Sequence, residues 1–221
     1  MDSRRIYRHF CMMARTLEVV GERWSLLIVR DLLLGPQRFT DLVRGLNEIT
    51  PTRLTDRLRR LEAAGLVVRE PPSRGREVWY RLSDSGRDLG PVVEALTMWG
   101  VEHRLEPPRP GEPVCPVPVM IGTKVWLSRN AHEVAHPVSW VWHFEPDDPY
   151  TVRFDRGLWA LARGDSEAAA VMITSSPETW ARFLTTKRGE RQLRDEEIHL
   201  EGKPKAIKEF ARVFAANLRS A

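Results

Sequence analysis

The chain has 221 residues, of which 42% are hydrophobic and 29% charged. This composition is typical of soluble globular proteins, and no run approaches the roughly 18 apolar residues that a membrane-spanning helix needs. The charged N-terminal residues lack the apolar stretch of a signal peptide, and the sequence contains only two cysteines. We therefore expect a cytoplasmic protein of one large or two modest domains, with no membrane association.

Positive charge is concentrated in the first hundred residues, which hold 17 arginines and no lysine against 13 acidic residues. The remaining residues hold 17 basic and 17 acidic side chains and are neutral. This distribution indicates that, if the protein binds a polyanion such as DNA, the N-terminal part of the chain does so. A net charge of +4 is mild, so charge alone is weak evidence for such binding.

Helical patterns dominate the first 65 residues. Apolar spacing predicts helices over Thr16–Val20 and Glu22–Leu34, with Asp31 as a polar break, before a stop at Gly35 and Pro36. A short helix over 39–46 follows, with Thr40 as its expected N-cap. The next helix begins at Pro51, where the missing N–H costs nothing, is capped by Thr50 and ends at Gly65.

A hairpin and a long helix are expected next. Residues 66–70 and 77–82 are rich in Val, Trp and Tyr and flank a basic turn, which predicts a two-stranded wing. Residues 84–102 then predict one amphipathic helix with Pro91 as a kink. Its apolar stripe requires a partner and consists of Leu89, Val92, Val93, Leu96 and Trp99.

The segment 105–118 is rich in proline and predicts an extended linker. Beyond it, alternating apolar residues predict strands, followed by a helix from Ser176 to about Thr185, a last strand over 198–201 and a closing helix over 203–218. We therefore expect two α+β domains, over residues 1–104 and 119–221.

The helix that begins at Pro51 has one apolar and one cationic face. Leu54, Leu58 and Leu61 recur at helical spacing, opposite a polar face that an α-helix can present to the major groove. Candidates for reading base edges are Thr52, Arg53 and Asp56, because they lie near the helix start. Candidates for phosphate contacts are Arg38, Arg57, Arg60 and the wing residues Arg74 and Arg76.

A solvated surface is the alternative interpretation of this cationic face, and for an isolated helix it is the more common one. The order of elements favours DNA binding instead. A short helix, a tight turn, a capped basic helix and a hairpin with a basic tip together form the layout of a winged helix-turn-helix.

Four stretches resemble the HxlR-type (MarR-like) transcription regulators: 16–42, 49–67, Tyr80–Gly86 and Met98–Gly100. The resemblance implies a homodimer, held by terminal helices, on a near-palindromic double-stranded DNA operator. Glu22-Arg23-Trp24 stands where that family commonly has Gly-Lys-Trp. Cys11 stands at the position of a cysteine that senses oxidants in some members, but a buried free cysteine usually acts as a small apolar residue.

Residues 137–218 bear a looser resemblance to sterol-carrier-like domains, which enclose an apolar tunnel between sheet and helices. This implies a pocket for a hydrophobic or aromatic effector, lined by Trp140, Trp142, Phe144, Trp159 and Phe183. Ordinary core is the alternative for these aromatic side chains. A second functional interpretation is a lipid or small-molecule carrier whose N-terminal domain mediates protein contacts.

Catalysis finds no support in the sequence. No Gly-rich phosphate loop, nucleophile elbow or zinc-binding cysteine set is present, so we expect no enzyme activity and no cofactor. His132, His136 and His143 lack the spacing of a metal site. The sequence thus predicts a DNA-binding transcription regulator whose operator and effector remain open.

Overall fold

The computed structural model describes Tyr7 and residues 10–70, 77–131, 134–146, 148–186 and 197–216. The chain divides into two compact units, residues 1–94 and 95–221. The helix over Gly90–His103 contributes to both units. Among the described residues, no helix is long and apolar enough to cross a membrane.

The first unit is a set of helices with a small sheet, the fold of a winged helix-turn-helix. In chain order its elements are α1 (Met12–Val20), α2 (Ser25–Leu32), β1 (Gln37–Arg38), α3 (Phe39–Leu46), α4 (Pro51–Ala63), β2 (Val67–Glu70), β3 (Trp79–Leu82), α5 (Asp84–Arg87) and α6 (Gly90–His103). The sheet has the order β1-β3-β2, and both pairings are antiparallel.

The apolar faces of α2, α3 and α4 meet the hairpin in one core. Ile28, Leu42, Leu54 and Leu58 are almost fully buried there, and burial of each such side chain contributes about 1.5–3 kcal/mol. This core leaves the opposite face of α4 directed outward, as the spacing of its leucines predicts.

Two local expectations for this unit are wrong. Thr40 does not cap α3, because the helix begins at Phe39 and Arg38 occupies the N-cap position. Asp31 is not an exposed polar break, since it is 1% exposed and forms an ion pair of 2.8 Å with Arg30. Burial of this carboxylate is tolerated because a cation accompanies it.

The expected single helix over 84–102 is two helices. Ser83 caps α5, which ends at Arg87, and α6 starts at Gly90. Pro91 therefore lies in the first turn of α6, where its missing N–H costs nothing, and does not kink a longer helix. Gly86 is required here because a Cβ at this position would lie 2.1 Å from the carbonyl oxygen of Leu66.

The second unit consists of a mixed sheet with helices. Its further elements are α7 (Pro116–Asn130), β4 (Val138–His143), β5 (Tyr150–Asp155), β6 (Leu158–Arg163), β7 (Val171–Thr174), α8 (Pro177–Thr185), β8 (His199–Gly202) and α9 (Pro204–Ala216). The strand order is β6-β5-β4-β7-β8, with β4 and β7 parallel and the other pairs antiparallel.

Helix α7 is absent from the sequence prediction, which assigns its first residues to an extended linker. Pro116 and Pro118 lie at the start of this helix, and Cys115 is its N-cap. Proline fits the first turn of a helix as well as it fits a linker, so the proline signal alone could not separate the two. The helix packs against β6 and α8.

Aromatic side chains fill the core of the second unit. Trp140 lies 4.9 Å from Phe210 between ring centroids, and Trp142 lies 5.4 Å from Trp180. The buried Nε1 of Trp180 donates a hydrogen bond of 2.9 Å to Oγ1 of Thr123 on α7. Ring packing therefore joins the sheet to the helices, and the buried hydrogen bond joins α8 to α7.

Candidate DNA-binding surface

Helix α4 begins as its sequence predicts. The Oγ1 of Thr50 accepts a hydrogen bond of 3.4 Å from the backbone N–H of Arg53, and Pro51 occupies the first turn. Thr52 and Arg53 are exposed in that turn. Two of the three candidate base readers are thus accessible at the helix start, where side chains of a recognition helix reach base edges.

Three further polar residues of α4 join an ion-pair network with Glu22 that we call the Glu22 cluster: Glu22, Asp56, Arg57 and Arg60. Glu22 lies in the turn between α1 and α2, and its carboxylate binds Arg57 at 2.6 Å and Arg60 at 3.2 Å. Asp56 binds the same arginines at 3.3 and 3.2 Å. The third candidate base reader and two candidate phosphate contacts are therefore engaged with one another.

Arg38 occupies the N-cap position of α3, and its guanidinium is paired with carboxylates. Its guanidinium forms ion pairs of 2.9 Å with Asp41 and 3.0 Å with Glu77 and lies 5.7 Å from the ring centroid of Trp79. These hydrogen bonds, first to Asp41 and then to Glu77, raise the pKa of Arg38 above its ordinary value. Arg38 links α3 to the start of β3.

The predicted wing is confirmed in its strands. Residues 67–70 pair with 79–82 in an antiparallel hairpin. Arg74 and Arg76, the candidate phosphate contacts at its tip, lie outside the described residues.

Glu22 belongs to this surface although no sequence pattern places it near α4. It is 35 residues before Arg57 in the chain, and only the packing of the first unit brings the two together. The one available signal was the acid at the position where similar regulators commonly have glycine.

The five candidate ligand-binding side chains of the second unit are all buried: Trp140, Trp142, Phe144, Trp159 and Phe183. Trp140 contacts Trp159, and Phe183 contacts Trp180. The Nε1 of Trp142 is buried and has no hydrogen-bond partner within the described ranges. These side chains belong to the core, and one of them carries an unused donor.

The remaining candidate positions are separate from one another. Cys11 is half-buried at the N-cap of α1 and is a free thiol. The Nε2 of His143 lies 3.7 Å from Oδ2 of Asp165, and the Nε2 of His136 lies 3.4 Å from Oε1 of Glu209. His132 is outside the described residues. The part of the chain that the structure describes contains no cluster of three or more His, Cys, Asp or Glu suited to a metal ion.

Comparison with known proteins identifies relatives of the N-terminal part. The model of the HxlR-like helix-turn-helix family matches residues 19–107. An uncharacterized HTH-type transcriptional regulator of Mycobacterium bovis is 46% identical over 100 residues, which are 45% of this chain and 61% of that protein. The chain therefore spans less than two thirds of the length of this relative.

Other relatives are covered more fully. The HTH-type transcriptional regulator YtcD of Bacillus subtilis is 39% identical over 93 residues, which are 40% of this chain and 71% of that protein. Among solved structures, the redox regulator HypR in its oxidized form is 36% identical, with a TM-score of 0.41, over 42% of this chain and 98% of that one.

The family match covers the first unit and only the start of the second. The family match ends at residue 107, so the sterol-carrier-like resemblance of the second unit is not confirmed. The relatives named above are transcriptional regulators, and none of them indicates an enzyme. From the arrangement of α3, α4 and the β2–β3 hairpin, and from the identity with YtcD, the chain belongs to the HxlR-like helix-turn-helix family.

Proposed function

We propose that the chain is a sequence-specific DNA-binding transcription regulator that acts as a homodimer. The observation that carries this proposal is the exposed, capped start of α4, held by its leucine face on the core of a winged helix-turn-helix. A helix in this setting enters the major groove with its N-terminal residues toward the bases. The relatives, which are regulators of the helix-turn-helix type, support the same function.

Within this proposal the side chains have different tasks. Thr52 and Arg53 read base edges, and Arg53 is suited to guanine because its guanidinium donates two parallel hydrogen bonds. Asp56 is suited to the amino group of cytosine. Phosphate contacts, which set the register on the duplex without reading sequence, fall to Arg38, Arg57, Arg60, Arg74 and Arg76.

The experiment is a fluorescence-anisotropy titration of the dimer with duplex DNA from the region upstream of its own gene. We expect Arg53→Ala to weaken operator binding by about 1–3 kcal/mol and to relax the preference at one base position. The matched control is Arg212→Ala, which removes one exposed arginine from α9 in the second unit and should bind the operator like the wild type.

An equal loss of affinity for operator and random DNA would show that Arg53 contacts phosphate. Wild-type affinity in Arg53→Ala would remove α4 from the interface. Neutralising Arg74 and Arg76 together tests the wing separately. The slope of log affinity against log salt should become shallower by about 0.9 for each phosphate that the wing no longer neutralises.

Helix α6 supplies the proposed dimer contact. Val93 is buried in the core of the first unit, whereas Val92, Leu96 and Trp99 are exposed. The stripe predicted from sequence is therefore divided, one side packing inward and the other facing solvent. Exposed apolar side chains grouped on one helix are typical of an interface between subunits, and a second copy of α6 offers the complementary surface.

A hydrophobic or aromatic effector is the second part of the proposal. Its specific support is the buried Nε1 of Trp142, because a buried donor without a partner costs about 1–3 kcal/mol and is uncommon. A ligand with an acceptor atom would satisfy this group. Phe144, Trp159 and Phe183 would provide apolar surface around it. The alternative of a carrier protein gains no support from the relatives.

A further inference from the structure

We infer that Glu22 restrains the affinity of the protein for DNA by binding Arg57 and Arg60 in competition with phosphate. The inference rests on the proposed function, because it assumes that α4 lies in the major groove. It assigns a role to a residue outside α4 that touches two of the helix's four arginines.

The geometry of the Glu22 cluster is that of a closed set of ion pairs. One carboxylate oxygen of Glu22 binds Arg57 at 2.6 Å, and the other binds Arg60 at 3.2 Å. Asp56 bridges the two guanidinium groups from within α4. The cluster contains two cations and two anions, so its formal charge is zero.

Pairing within the Glu22 cluster lowers the positive charge that α4 presents to the DNA phosphates. Affinity for the phosphate backbone comes from cations that replace condensed counterions, and a cation already paired with a carboxylate contributes less. The side chain of Arg57 is only 15% exposed, so a phosphate must displace Glu22 to reach it. A phosphate that approaches Arg57 or Arg60 also meets the negative charge of Glu22.

The backbone around Glu22 holds its carboxylate in this position. The carbonyl oxygen of Glu22 accepts a hydrogen bond of 3.1 Å from the N–H of Ser25. Trp24 follows in the left-handed region, with φ of 81°, and packs against the core of the first unit. Because Glu22 is hydrogen-bonded to Ser25 and Trp24 is packed against the core, the carboxylate of Glu22 reaches Arg57 and Arg60 from an anchored turn.

The test is Glu22→Gln in the 221-residue chain, which removes the charge and keeps the shape of a half-exposed side chain. Binding to the upstream duplex and to a random duplex is measured by anisotropy across a salt series. We expect both affinities to rise by about 3- to 30-fold at low salt, which lies within the range of coupling energies inside one charge network. The salt slope should steepen by about 0.9 for each arginine released.

Two further variants separate this effect from a simple change in net charge. Glu62→Gln makes the same charge change on α4 outside the Glu22 cluster and should leave both affinities near those of the wild type. In an Arg57→Ala/Arg60→Ala background, Glu22→Gln should have little effect, because the cations that it releases are gone. Circular dichroism confirms that each variant is folded.

The inference is overturned by any of three results: unchanged or weaker binding of Glu22→Gln, an equal gain in Glu62→Gln, or a gain that persists without Arg57 and Arg60. The proposed function fails in a different way, if the wild-type protein binds the upstream duplex no more tightly than the random duplex. If Arg53→Ala loses specificity while Glu22→Gln binds like the wild type, the DNA-binding mode stands and Glu22 has no part in it.

Discussion

Asp41 both caps the start of α3 and forms an ion pair with Arg38. Its carboxylate accepts a hydrogen bond of 3.2 Å from the backbone N–H of Arg38 and pairs with the guanidinium of the same residue. Burial alone would raise the pKa of Asp41, but the hydrogen bonds and the positive charge of Arg38 outweigh it and lower the pKa below its ordinary value. The folded state therefore favours the ionised form.

We predict that Asp41→Asn lowers the free energy of unfolding by about 1 kcal/mol at pH 7, the typical loss for a helix cap. Because the folded-state pKa is depressed, this contribution is fully present above the unfolded pKa of about 3.9 and is lost as pH falls through the folded value. Urea unfolding of wild type and variant should therefore differ at pH 7, and the difference should shrink as pH falls below about 4 toward the folded pKa.

Glu77→Gln is the control for this measurement. It removes the more exposed partner of Arg38 and leaves the cap intact, so its effect at pH 7 should be within about 0.5 kcal/mol, as for other surface ion pairs. A difference between wild type and Asp41→Asn that stays constant from pH 7 to pH 3 would show that the carboxylate charge is not involved.

At the scale of elements, the winged helix-turn-helix was predictable because its signals are local. Thr50 and Pro51 mark the start of α4, and the leucines at 54, 58 and 61 mark its buried face. A cap, a helix-starting proline and a helical repeat each depend on a few neighbouring residues. The same locality made the β2–β3 hairpin predictable.

Features that depend on contacts distant in sequence could not be predicted. The carboxylate of Asp31 interrupts the apolar pattern of its helix, and only the packing of the first unit buries it. Pro116 fits a linker and a helix start equally well, and only the packing of α7 on β6 decides between them. The Glu22 cluster joins two elements more than 30 residues apart, so no local pattern indicates it.

Helix α6 yields a prediction about assembly. Leu96 is 53% exposed, so replacing it with aspartate should not disturb the core of either unit. At a subunit interface, the same change would bury an unpaired carboxylate, which is strongly unfavourable. We expect Leu96→Asp to remain folded and to become monomeric, as measured by size-exclusion chromatography with light scattering.

Leu158→Asp is the matched control, since it places the same charge on an apolar side chain of β6 that is 75% exposed. This variant should keep the mass of the wild type. A dimeric Leu96→Asp protein would remove α6 from the interface.

At the scale of the whole molecule, charge and aromatic residues are segregated along the chain. The first hundred residues carry the entire net charge of +4, and the first unit holds the helix proposed to bind DNA. The second unit holds the buried aromatic cluster around Trp140, Trp142 and Trp180. A unit without net charge adds no net electrostatic attraction to the phosphate backbone, which favours a separate task such as sensing a ligand.

The last prediction is that a hydrophobic or aromatic ligand of the second unit changes operator affinity. Coupling between two sites requires the ligand to favour one of two states of the dimer, and typical values of about 1–3 kcal/mol correspond to roughly 5- to 150-fold in affinity. An apolar and aromatic library is titrated into the protein by tryptophan fluorescence, and the operator titration is repeated with each ligand found. Linkage requires the operator to change ligand affinity by the same factor.

The side chain that decides this test is Trp142. Trp142→Phe keeps an aromatic ring in the fully buried position and removes the N–H donor, whereas alanine would leave a large cavity. If the ligand accepts a hydrogen bond from Nε1, the phenylalanine variant should bind it more weakly and show less coupling, with its operator affinity in the absence of ligand unchanged. A library without binders, or a ligand that leaves operator affinity unaltered, would make the cluster a structural core and assign the second unit to assembly or partner binding.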